Sequence, residues 1–278
     1  MSDEKSAEIR LDPDGFNELK MCRTGPMLYN KHDIFMGGSL QKYGEFSIRE
    51  QEVFAQIVGP GALVVEVGAN IGAHTVELSR LAGRDGEVHA FEPQRIVFQA
   101  LCANLALNQC TNVFARQSAV GENVGSISVP PLDPSVRYNF GGVSLRGVIH
   151  GETVPLVTLD SLDLPACQLL KVDVEGMEVE VLKGSEQLIQ THRPIMYLEN
   201  DREERSEELL RIVDRLDYKA YWHFPRVFNP DNFYGDTVNI FGDVSSVNVL
   251  CVPQETPLHV EGMRPVQSVR EKWSDFRG

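Results

Sequence analysis

The sequence predicts an α/β fold with a doubly wound, mainly parallel sheet, because short apolar runs alternate with helical patterns after the break at 59–61. The first run, LVVEV at 63–67, has the composition of a buried strand and enters a glycine-rich turn, GANIG at 68–72, with a helix after it. The second run, EVHAF at 87–91, repeats the pattern and is followed by an acid, Glu92. A glycine-rich turn after the first strand is where open α/β sheets bind nucleotides.

The remaining elements follow in chain order. Apolar runs on both sides of Asn30-Lys31 predict a hairpin within 26–36, and Ser47 and Glu50 have the spacing of a capping box that begins a helix. The other predicted elements are a helix from about 73, a helix over 94–108, a strand over 113–120, strands over 169–174 and 194–199 with helices after them, and strands over 218–222 and 246–252.

This pattern divides the chain into three parts. An N-terminal extension and helix occupy 1–58, and the first 20 residues are polar and expected to be frayed or loosely docked. The main domain occupies 59–252 and includes a β insertion at 121–160, where strand-like pieces alternate with Gly and Pro. A poorly patterned tail, 253–278, is expected to be held to the body by aromatic residues near its end.

Charge and composition exclude several classes of protein. The formal net charge of −14 makes nucleic-acid backbones poor partners. No apolar run reaches about 18 residues and the acidic N-terminus lacks an apolar signal region, so neither a membrane span nor a secretory leader is expected. Five cysteines without C-x-x-C spacing favour reduced thiols in a cytoplasmic protein over disulfides or a zinc site.

The turn at 68–72 favours one kind of ligand. Asn70 occupies the place of the middle glycine of a dinucleotide-binding fingerprint, and no lysine follows Gly72 as it would in a P-loop. Glu66 would repel a phosphate but suits a positively charged group, and Glu92 can accept hydrogen bonds from both ribose hydroxyls. S-adenosylmethionine fits this description, since it carries a ribose, a sulfonium and an α-amino group. An ordinary tight turn with incidental acids remains the alternative.

Five segments together resemble the FkbM family of S-adenosylmethionine-dependent methyltransferases: EVGANIGAHT, HAFEPQ, LCANLALN, LLKVDVEGMEVEVLKG and RPIMYLEN. The resemblance covers roughly 43–200 and the closing strand near 247–252. It implies a Rossmann-like, seven-stranded and mostly parallel sheet whose last strand is antiparallel. It also implies methyl transfer, usually to a hydroxyl of a sugar or natural product.

The resemblance further implies which residues bind S-adenosylmethionine. The residues implied for the methionine and ribose side are Glu66, Gly68, Asn70 and Gly72, with Glu92 at the ribose hydroxyls and Ser118 and Ala119 near the adenine. The segment YGEFS resembles an element that closes over the cofactor in this family, and the residues implied there are Tyr43, Glu45 and Ser47. Asp173 is expected to contact the cofactor as well.

Oxygen-bearing side chains end two neighbouring strands of the predicted sheet. Asp173 lies near the end of one strand, and Glu199 and Asn200 end the next, so all three should converge beside the methyl group. Magnesium prefers such oxygen ligands, which suggests metal-assisted O-methylation with these three residues as ligands. Lys171 shares a strand face with Asp173 and is expected to pair with Asp173 or Glu66.

A metal-free mechanism is the alternative, with a general base that acts on an oxygen or a nitrogen acceptor. The residues considered for this base are Asp173, Glu175, His150 and His223. The acids at the strand ends are also compatible with a role limited to binding the cofactor's amino group. A third interpretation is a non-catalytic protein that binds S-adenosylmethionine. The asparagine within the glycine turn disfavours a nucleotide-sugar oxidoreductase or epimerase.

The helix after Gly176 and an aromatic-rich segment complete the predictions. Glu178 and Glu180 are expected on a solvated helix face, with Glu180 paired to Lys183 three residues on. Eight aromatic residues lie between 218 and 241 and are expected to form a wall for the acceptor or a contact in a homodimer. The acceptor itself is expected to be a small molecule, a glycan or a natural product.

Overall fold

Residues 11–276 are described by a computed structural model of the chain. The strands are β1 (Asn17–Cys22), β2 (Gly25–Asn30), β3 (Leu63–Val67), β4 (Glu87–Phe91), β5 (Val113–Arg116), β6 (Ala119–Val120), β7 (Gly125–Val129), β8 (Glu152–Val157), β9 (Leu169–Val172), β10 (Ile195–Glu199), β11 (Tyr218–His223), β12 (Asn248–Pro253) and β13 (Arg264–Pro265). The helices are α1 (Met36–Tyr43), α2 (Ile48–Ile57), α3 (Thr75–Ala82), α4 (Arg95–Leu107), α5 (Glu178–Lys183), α6 (Glu186–His192) and α7 (Glu203–Arg215).

The largest sheet confirms the predicted fold class. Its strands lie in the order β13-β11-β12-β10-β9-β3-β4-β5. The strands from β10 to β5 run parallel to one another, whereas β12 is antiparallel to both of its neighbours, β10 and β11. The seven strands from β11 to β5 therefore form the expected Rossmann-like sheet with one reversed strand. The short β13 adds an edge strand that was not predicted.

Helices cover both faces of this sheet, which explains why its central strands are apolar throughout. In β3, Val64 packs in a cluster with α2 and α3, while Val65 packs in a second cluster with α5, α6 and α7. Leu169 and Leu170 of β9 divide between the two faces in the same way. The carboxyl ends of these parallel strands meet at one edge of the sheet, where the loops that follow them surround a cleft.

An N-terminal hairpin forms, but it lies earlier in the chain than predicted. The turn between β1 and β2 is at 23–24, and Asn30, the predicted turn residue, ends β2. Residues 17–20, expected to be loosely docked, belong to β1, while the first ten residues lie outside the described part of the chain. Packing against α4 sets this register, because the Leu28 N–H donates to the Asn104 side chain at 2.6 Å.

The strand predicted over 113–120 is two strands in separate sheets. β5 lies at the edge of the main sheet, whereas β6 pairs with β8, which also pairs with β7. The break falls at Ser118, whose N–H bonds to the carbonyl of Arg116 at 3.0 Å and turns the chain. The insertion at 121–160 thus belongs to a three-stranded sheet, and its long loop reaches the cleft through 141–145.

The C-terminal tail packs onto the outer end of the main sheet. β13 pairs with β11, and Trp273 and Phe276 pack against the large core cluster. The ring of Phe276 lies 5.8 Å from that of Trp222. No helix between residues 11 and 276 is both long and apolar enough to cross a bilayer.

Candidate functional site

Two adjoining cavities form one cleft at the carboxyl ends of the parallel strands. The β4 cavity lies beside the end of β4, and the α2 cavity lies beneath α2. The residues that line both cavities are Gly68, Glu92, Gly141, Asp173 and Glu175.

The β4 cavity is largely apolar, with polar groups at a few points. Phe91, Val143 and Leu145 contribute apolar wall, and the predicted adenine-side residues Ser118 and Ala119 line the same cavity. The Ser118 hydroxyl is buried and has no hydrogen-bond partner among residues 11–276. A buried hydroxyl without a partner is costly, so a ligand that bonds to it would be stabilised there.

Glu92 braces the glycine turn from the end of β4. One carboxylate oxygen accepts a hydrogen bond from the Asn70 N–H at 3.0 Å, and the other accepts one from the Gln94 N–H at 2.8 Å. Burial raises the pKa of the Glu92 carboxyl to about 7, and these two backbone donors limit the rise. Each oxygen keeps a further lone pair for a ligand hydroxyl.

The glycine turn allows an unusually close approach of β3 to β9. Gly68 has φ of 84°, and a Cβ atom there would lie 1.8 Å from the carbonyl oxygen of Asp173. Asn70 also has positive φ and lines the α2 cavity. Gly72, in contrast, packs against Leu101 away from both cavities. Only glycine can occupy position 68 without moving the backbone beside the cleft.

A buried lysine links two of the predicted acids. The Lys171 ammonium lies 3.7 Å from Glu66 and 3.4 Å from Asp173, which agrees with the expected pairing. Glu66 also accepts a hydrogen bond from the Thr75 hydroxyl at 2.6 Å and lies behind the cavity walls. Burial alone would lower the pKa of Lys171, but the charges of Asp173, Glu66 and Glu50 raise it above its ordinary value. The lysine therefore stays charged.

Three carboxylates converge where the cavities meet. One oxygen each of Asp173, Glu175 and Glu199 lies within 4.8 Å of the others. Burial and the neighbouring charges of Asp173 and Glu175 raise the pKa of Glu199 well above its usual range. One Glu199 oxygen is buried without a hydrogen-bond partner in the described chain. Such a group is stable only when a proton or a cation offsets the mutual repulsion.

Three other predicted metal or catalytic residues do not reach the cleft. Asn200 lines neither cavity, because successive side chains of a strand point to opposite faces and Glu199 is the one that faces the cleft. His223 lies on β11 with its Nδ1 atom 2.7 Å from the Tyr197 hydroxyl, and burial lowers its pKa. His150 is exposed on the loop of the insertion.

The segment before α2 lies beside the cleft, but its wall residue is Phe46 and not the three that the sequence indicated. Tyr43 and Glu45 bond instead to the loop at 224–247, with distances of 2.8 Å. Ser47 precedes α2 with φ of 44°, and its side chain makes no capping bond. The predicted capping box is therefore wrong, because an N-cap bond requires extended backbone at that position.

The acids after Gly176 are not on a solvated face. One oxygen of Glu178 accepts hydrogen bonds from the N–H groups of Val174 and Gly176, both at 3.1 Å, and burial raises its pKa to about 7. Glu180 pairs with Arg205 of α7 at 2.7 Å and not with the lysine of its own helix. Because α5 packs against α7, both acids face protein.

The aromatic segment after β11 does not form a wall of either cavity. Phe228 and Phe241 pack around Tyr43, with ring centroids 5.3 and 5.9 Å away. The aromatic side chains in the α2 cavity are those of Phe35 and Phe46. The aromatic wall of the α2 cavity thus comes from the N-terminal part of the chain, and the loop supports it from behind through a contact of Phe241 with Phe35 at 5.1 Å.

A comparison with protein families gives a match to the methyltransferase FkbM domain over residues 66–221. This match spans 156 of the 278 residues (221 − 66 + 1), more than half of the chain. The chain belongs to the FkbM methyltransferase family. The family resemblance of the sequence motifs is confirmed by this match.

Relatives of this FkbM methyltransferase have been described in archaea and fungi. Hexuronic acid methyltransferase AglP of Haloferax volcanii is 34% identical over 127 residues, which cover 45% of this chain and 51% of that protein. Methyltransferase sdnD of Sordaria araneosa is 30% identical over 155 residues, which cover 44% of this chain and 59% of that protein. The chain thus spans about half to three-fifths of the length of these relatives.

Among solved structures, methyltransferase FkbM from Methylobacillus flagellatus is similar, with 20% sequence identity and a TM-score of 0.45. The similarity covers 73% of this chain and 50% of that one. The fold assignment of this FkbM methyltransferase therefore depends on its own strand order and on the family match.

Two residues of this FkbM methyltransferase were not predicted from the sequence as site residues. His74, just before α3, and Glu50, in α2, both line the α2 cavity, and His74 Nε2 lies 3.4 Å from a Glu50 oxygen. The sequence signal for His74 is its position two residues after Gly72, because the residue directly before the helix that follows the glycine turn faces the cleft. Glu50 has the spacing of the predicted capping box, which accounts for its absence from the predicted site residues.

Proposed function

We propose that this protein transfers the methyl group of S-adenosylmethionine to a hydroxyl of a small molecule, a sugar, a glycoside or a secondary metabolite, with a divalent cation beside the acceptor. One observation carries the proposal: Asp173, Glu175 and Glu199 converge within 4.8 Å where the two cavities meet. Family membership accounts for methyl transfer, and the convergent acids favour an oxygen acceptor activated by a cation.

The groups that line the cleft fit S-adenosylmethionine. The apolar β4 cavity and the unpartnered Ser118 hydroxyl suit an adenine, and the free lone pairs of Glu92 suit the ribose hydroxyls. The acids of the α2 cavity suit the positively charged methionine end. When bound, the cofactor supplies a methyl group on a sulfonium, and the protein's part is to hold that group beside the acceptor oxygen and exclude water.

A divalent cation fits the same junction. The residues that would hold it are Asp173, Glu175 and Glu199, so Glu175 replaces Asn200 in the set expected from the sequence. Magnesium is bound in proteins by one or a few carboxylates together with waters and substrate oxygens. Its chemistry would be to lower the pKa of a coordinated hydroxyl. The buried oxygen of Glu199, which has no hydrogen-bond partner among residues 11–276, supports this set of ligands.

Neighbouring side chains keep these acids in place. The Lys171 ammonium holds Asp173 from within the sheet, and Arg202 donates to Glu175 at 2.5 Å from the rim. Burial and the charges of Asp173 and Asp201 raise the pKa of Glu175 to about 8. A carboxylate with a pKa near neutrality can also accept a proton from the acceptor, so metal-free base catalysis by Glu175 is the second candidate mechanism.

The acceptor class is inferred from the relatives and from the site. The Haloferax relative is named a hexuronic acid methyltransferase, which supports a sugar acceptor for this chain. Phe35 and Phe46 in the wall of the α2 cavity would pack against the apolar face of a sugar ring. A role limited to cofactor binding is disfavoured, because it would leave the costly convergence of three acids without a purpose.

The test is methyl transfer to a panel of glucuronides, neutral glycosides and phenols, measured as release of S-adenosylhomocysteine. Activity is expected to fall at least about tenfold after dialysis against EDTA and to return with magnesium. Full activity in EDTA would exclude the metal-assisted mechanism and leave the base mechanism. Absence of transfer to every acceptor, despite tight cofactor binding, would favour the non-catalytic interpretation.

Two adjacent positions provide a matched pair of variants. Glu199→Gln is expected to reduce the turnover number at least about 100-fold, because it removes a charge at the junction. Asn200→Ala is expected to retain most activity, since Asn200 lines neither cavity. The reverse order of effects would favour the ligand set expected from the sequence over the one that the structure assembles.

A further inference from the structure

His74 occupies a buried position at the methionine end of the cleft. It directly precedes α3 and lines the α2 cavity together with Asn70 of the glycine turn. Its side chain is 5% exposed, and its ring packs edge-on against Phe54 at 5.4 Å and at a tilt against Phe46 at 5.9 Å. These contacts fix the plane of the imidazole, so its two nitrogens have defined directions.

The Nε2 atom of His74 faces the Glu50 carboxylate, whose position is fixed by a further hydrogen bond. His74 Nε2 lies 3.4 Å from one oxygen of Glu50, and the other oxygen accepts a hydrogen bond from the Asn248 side chain at 3.1 Å. Burial alone would raise the pKa of Glu50, but the hydrogen bond and charge of His74 and the charge of Lys171 bring it down to about 2. Glu50 is therefore an anion that favours a proton on Nε2.

The other nitrogen of His74 lacks a partner. Nδ1 is buried and makes no hydrogen bond to any residue within 11–276. With Nε2 turned to Glu50, a proton on Nδ1 makes that atom a donor that has no acceptor within 11–276. Buried donors of this kind are rare unless a ligand completes them.

We propose that His74, oriented by Glu50, binds the α-carboxylate of the methionine moiety of S-adenosylmethionine. This assignment rests on the proposed function only in requiring that S-adenosylmethionine be the cofactor. The α-carboxylate is the single anionic group of that molecule, and the acids around the α2 cavity would repel it. Lys171 is already shared between Glu66 and Asp173, which leaves His74 as a donor without another commitment in the described wall.

The experiment compares two ligands by isothermal titration calorimetry without any acceptor. S-adenosylhomocysteine carries the amino-acid end, whereas 5′-methylthioadenosine keeps the adenosine and the sulfur but lacks that end. His74→Ala is expected to weaken S-adenosylhomocysteine about 10- to 100-fold, as for the loss of a charged hydrogen bond. Its affinity for 5′-methylthioadenosine should stay within about twofold of wild type, which also shows that the cleft is folded.

A conservative variant and a matched control sharpen the result. His74→Gln should lower the affinity for S-adenosylhomocysteine relative to that for 5′-methylthioadenosine, because it removes the imidazole that bonds to the α-carboxylate. His89→Gln is the control, because His89 is equally buried and lies 3.1 Å from a carboxylate, that of Glu87, but lines neither cavity.

The possible outcomes separate this inference from the proposed function. Equal losses for both ligands in His74→Ala, or an unchanged affinity for S-adenosylhomocysteine, would overturn the role of His74 while leaving the methyltransferase intact. An effect of His89→Gln as large as that of His74→Gln would overturn it too. Binding of neither ligand by the wild-type protein would overturn the proposed cofactor and, with it, this assignment.

Discussion

Replacement of Lys171 by methionine would remove the cation that two carboxylates share inside the sheet. Lys171 is 2% exposed, and its Nζ atom lies 3.7 Å from Glu66 and 3.4 Å from Asp173. Methionine is of similar length and apolar, so the change removes a charge with little change of shape. Glu66, 1% exposed, would retain the hydroxyl of Thr75 as a neutral partner.

The expected loss of stability follows from this geometry. With an effective dielectric constant of about 20, charges 3.7 Å apart attract by about 332/(20 × 3.7), or ~4.5 kcal/mol. Removal of one partner of a buried ion pair costs about 3–5 kcal/mol in general. The Asp173 side chain is 42% exposed, so water screens its interaction with Lys171, and the loss of that interaction adds little to the cost. We expect Lys171→Met to lower the free energy of unfolding by about 3–5 kcal/mol at pH 8.

The loss should depend on pH in a definite direction. Burial raises the pKa of Glu66, and Lys171 limits the rise, so removal of the lysine raises the folded-state pKa further. A carboxyl whose folded pKa exceeds its unfolded value destabilises the fold increasingly as pH rises from the unfolded pKa to the folded one. The deficit of Lys171→Met is therefore expected to be smaller at about pH 5 than at about pH 8.

We would measure the free energies of unfolding of wild type and Lys171→Met by urea unfolding followed by circular dichroism. Both pH values are used, and no cofactor is added. Lys183→Met is the matched control, because Lys183 is 34% exposed and pairs with Glu208 at 3.0 Å on the surface, where the same substitution should cost at most about 1 kcal/mol. Equal costs for the two lysines, or a Lys171→Met deficit that does not change with pH, would refute the argument.

Two further predictions concern other buried acids. Glu45→Gln should loosen the loop at 224–247, because Glu45 accepts hydrogen bonds from Asn229 and Phe233 at 2.8 Å. Limited proteolysis should therefore cut that loop about tenfold faster than in wild type, and an unchanged rate of cleavage would contradict this prediction. Glu50, with its pKa lowered to about 2, should add on the order of 3 kcal/mol of stability above pH 4.5 that is lost as pH falls toward 2. Urea unfolding of Glu50→Gln at pH 6 and pH 3 should show a flatter pH dependence than wild type, and an equal slope would count against the ion pair.

The central strands were predictable because both of their faces are buried. β3 and β4 have the bounds expected from LVVEV and EVHAF, since a run of branched and apolar residues between turn signals has few other stable states. The strand at 113–120 failed at Ser118, where a local backbone bond turns the chain into a second sheet. Apolar pattern identifies strands well, but it does not indicate which sheet a strand joins.

The N-terminal elements were less predictable for a physical reason. No Asn-Gly or Asp-Gly pair marks the turn of the hairpin, so its register depends on contacts with α4 that lie 76 residues away in sequence (104 − 28). The pairing of His74 with Glu50 is likewise a tertiary contact between α2 and the residue before α3. Sequence spacing could place Asp173 and Glu199 at one edge of the sheet, but it could not show that Asn200 lines neither cavity.

The carboxylates around the cleft differ in the groups that they contact, and these contacts limit the repulsion between them. Glu66 faces the Lys171 ammonium and Glu50 faces the His74 imidazole, whereas Glu92 and Glu178 accept hydrogen bonds from backbone N–H groups in the turns after β3 and β9. The buried oxygen of Glu199 has neither kind of partner among residues 11–276. Since each of the first four acids has a partner within the fold, added cations should bind at the junction that includes Glu199 and not elsewhere in the described cleft. The negative charge of the cleft is thus concentrated where a methyl acceptor and its cation would meet.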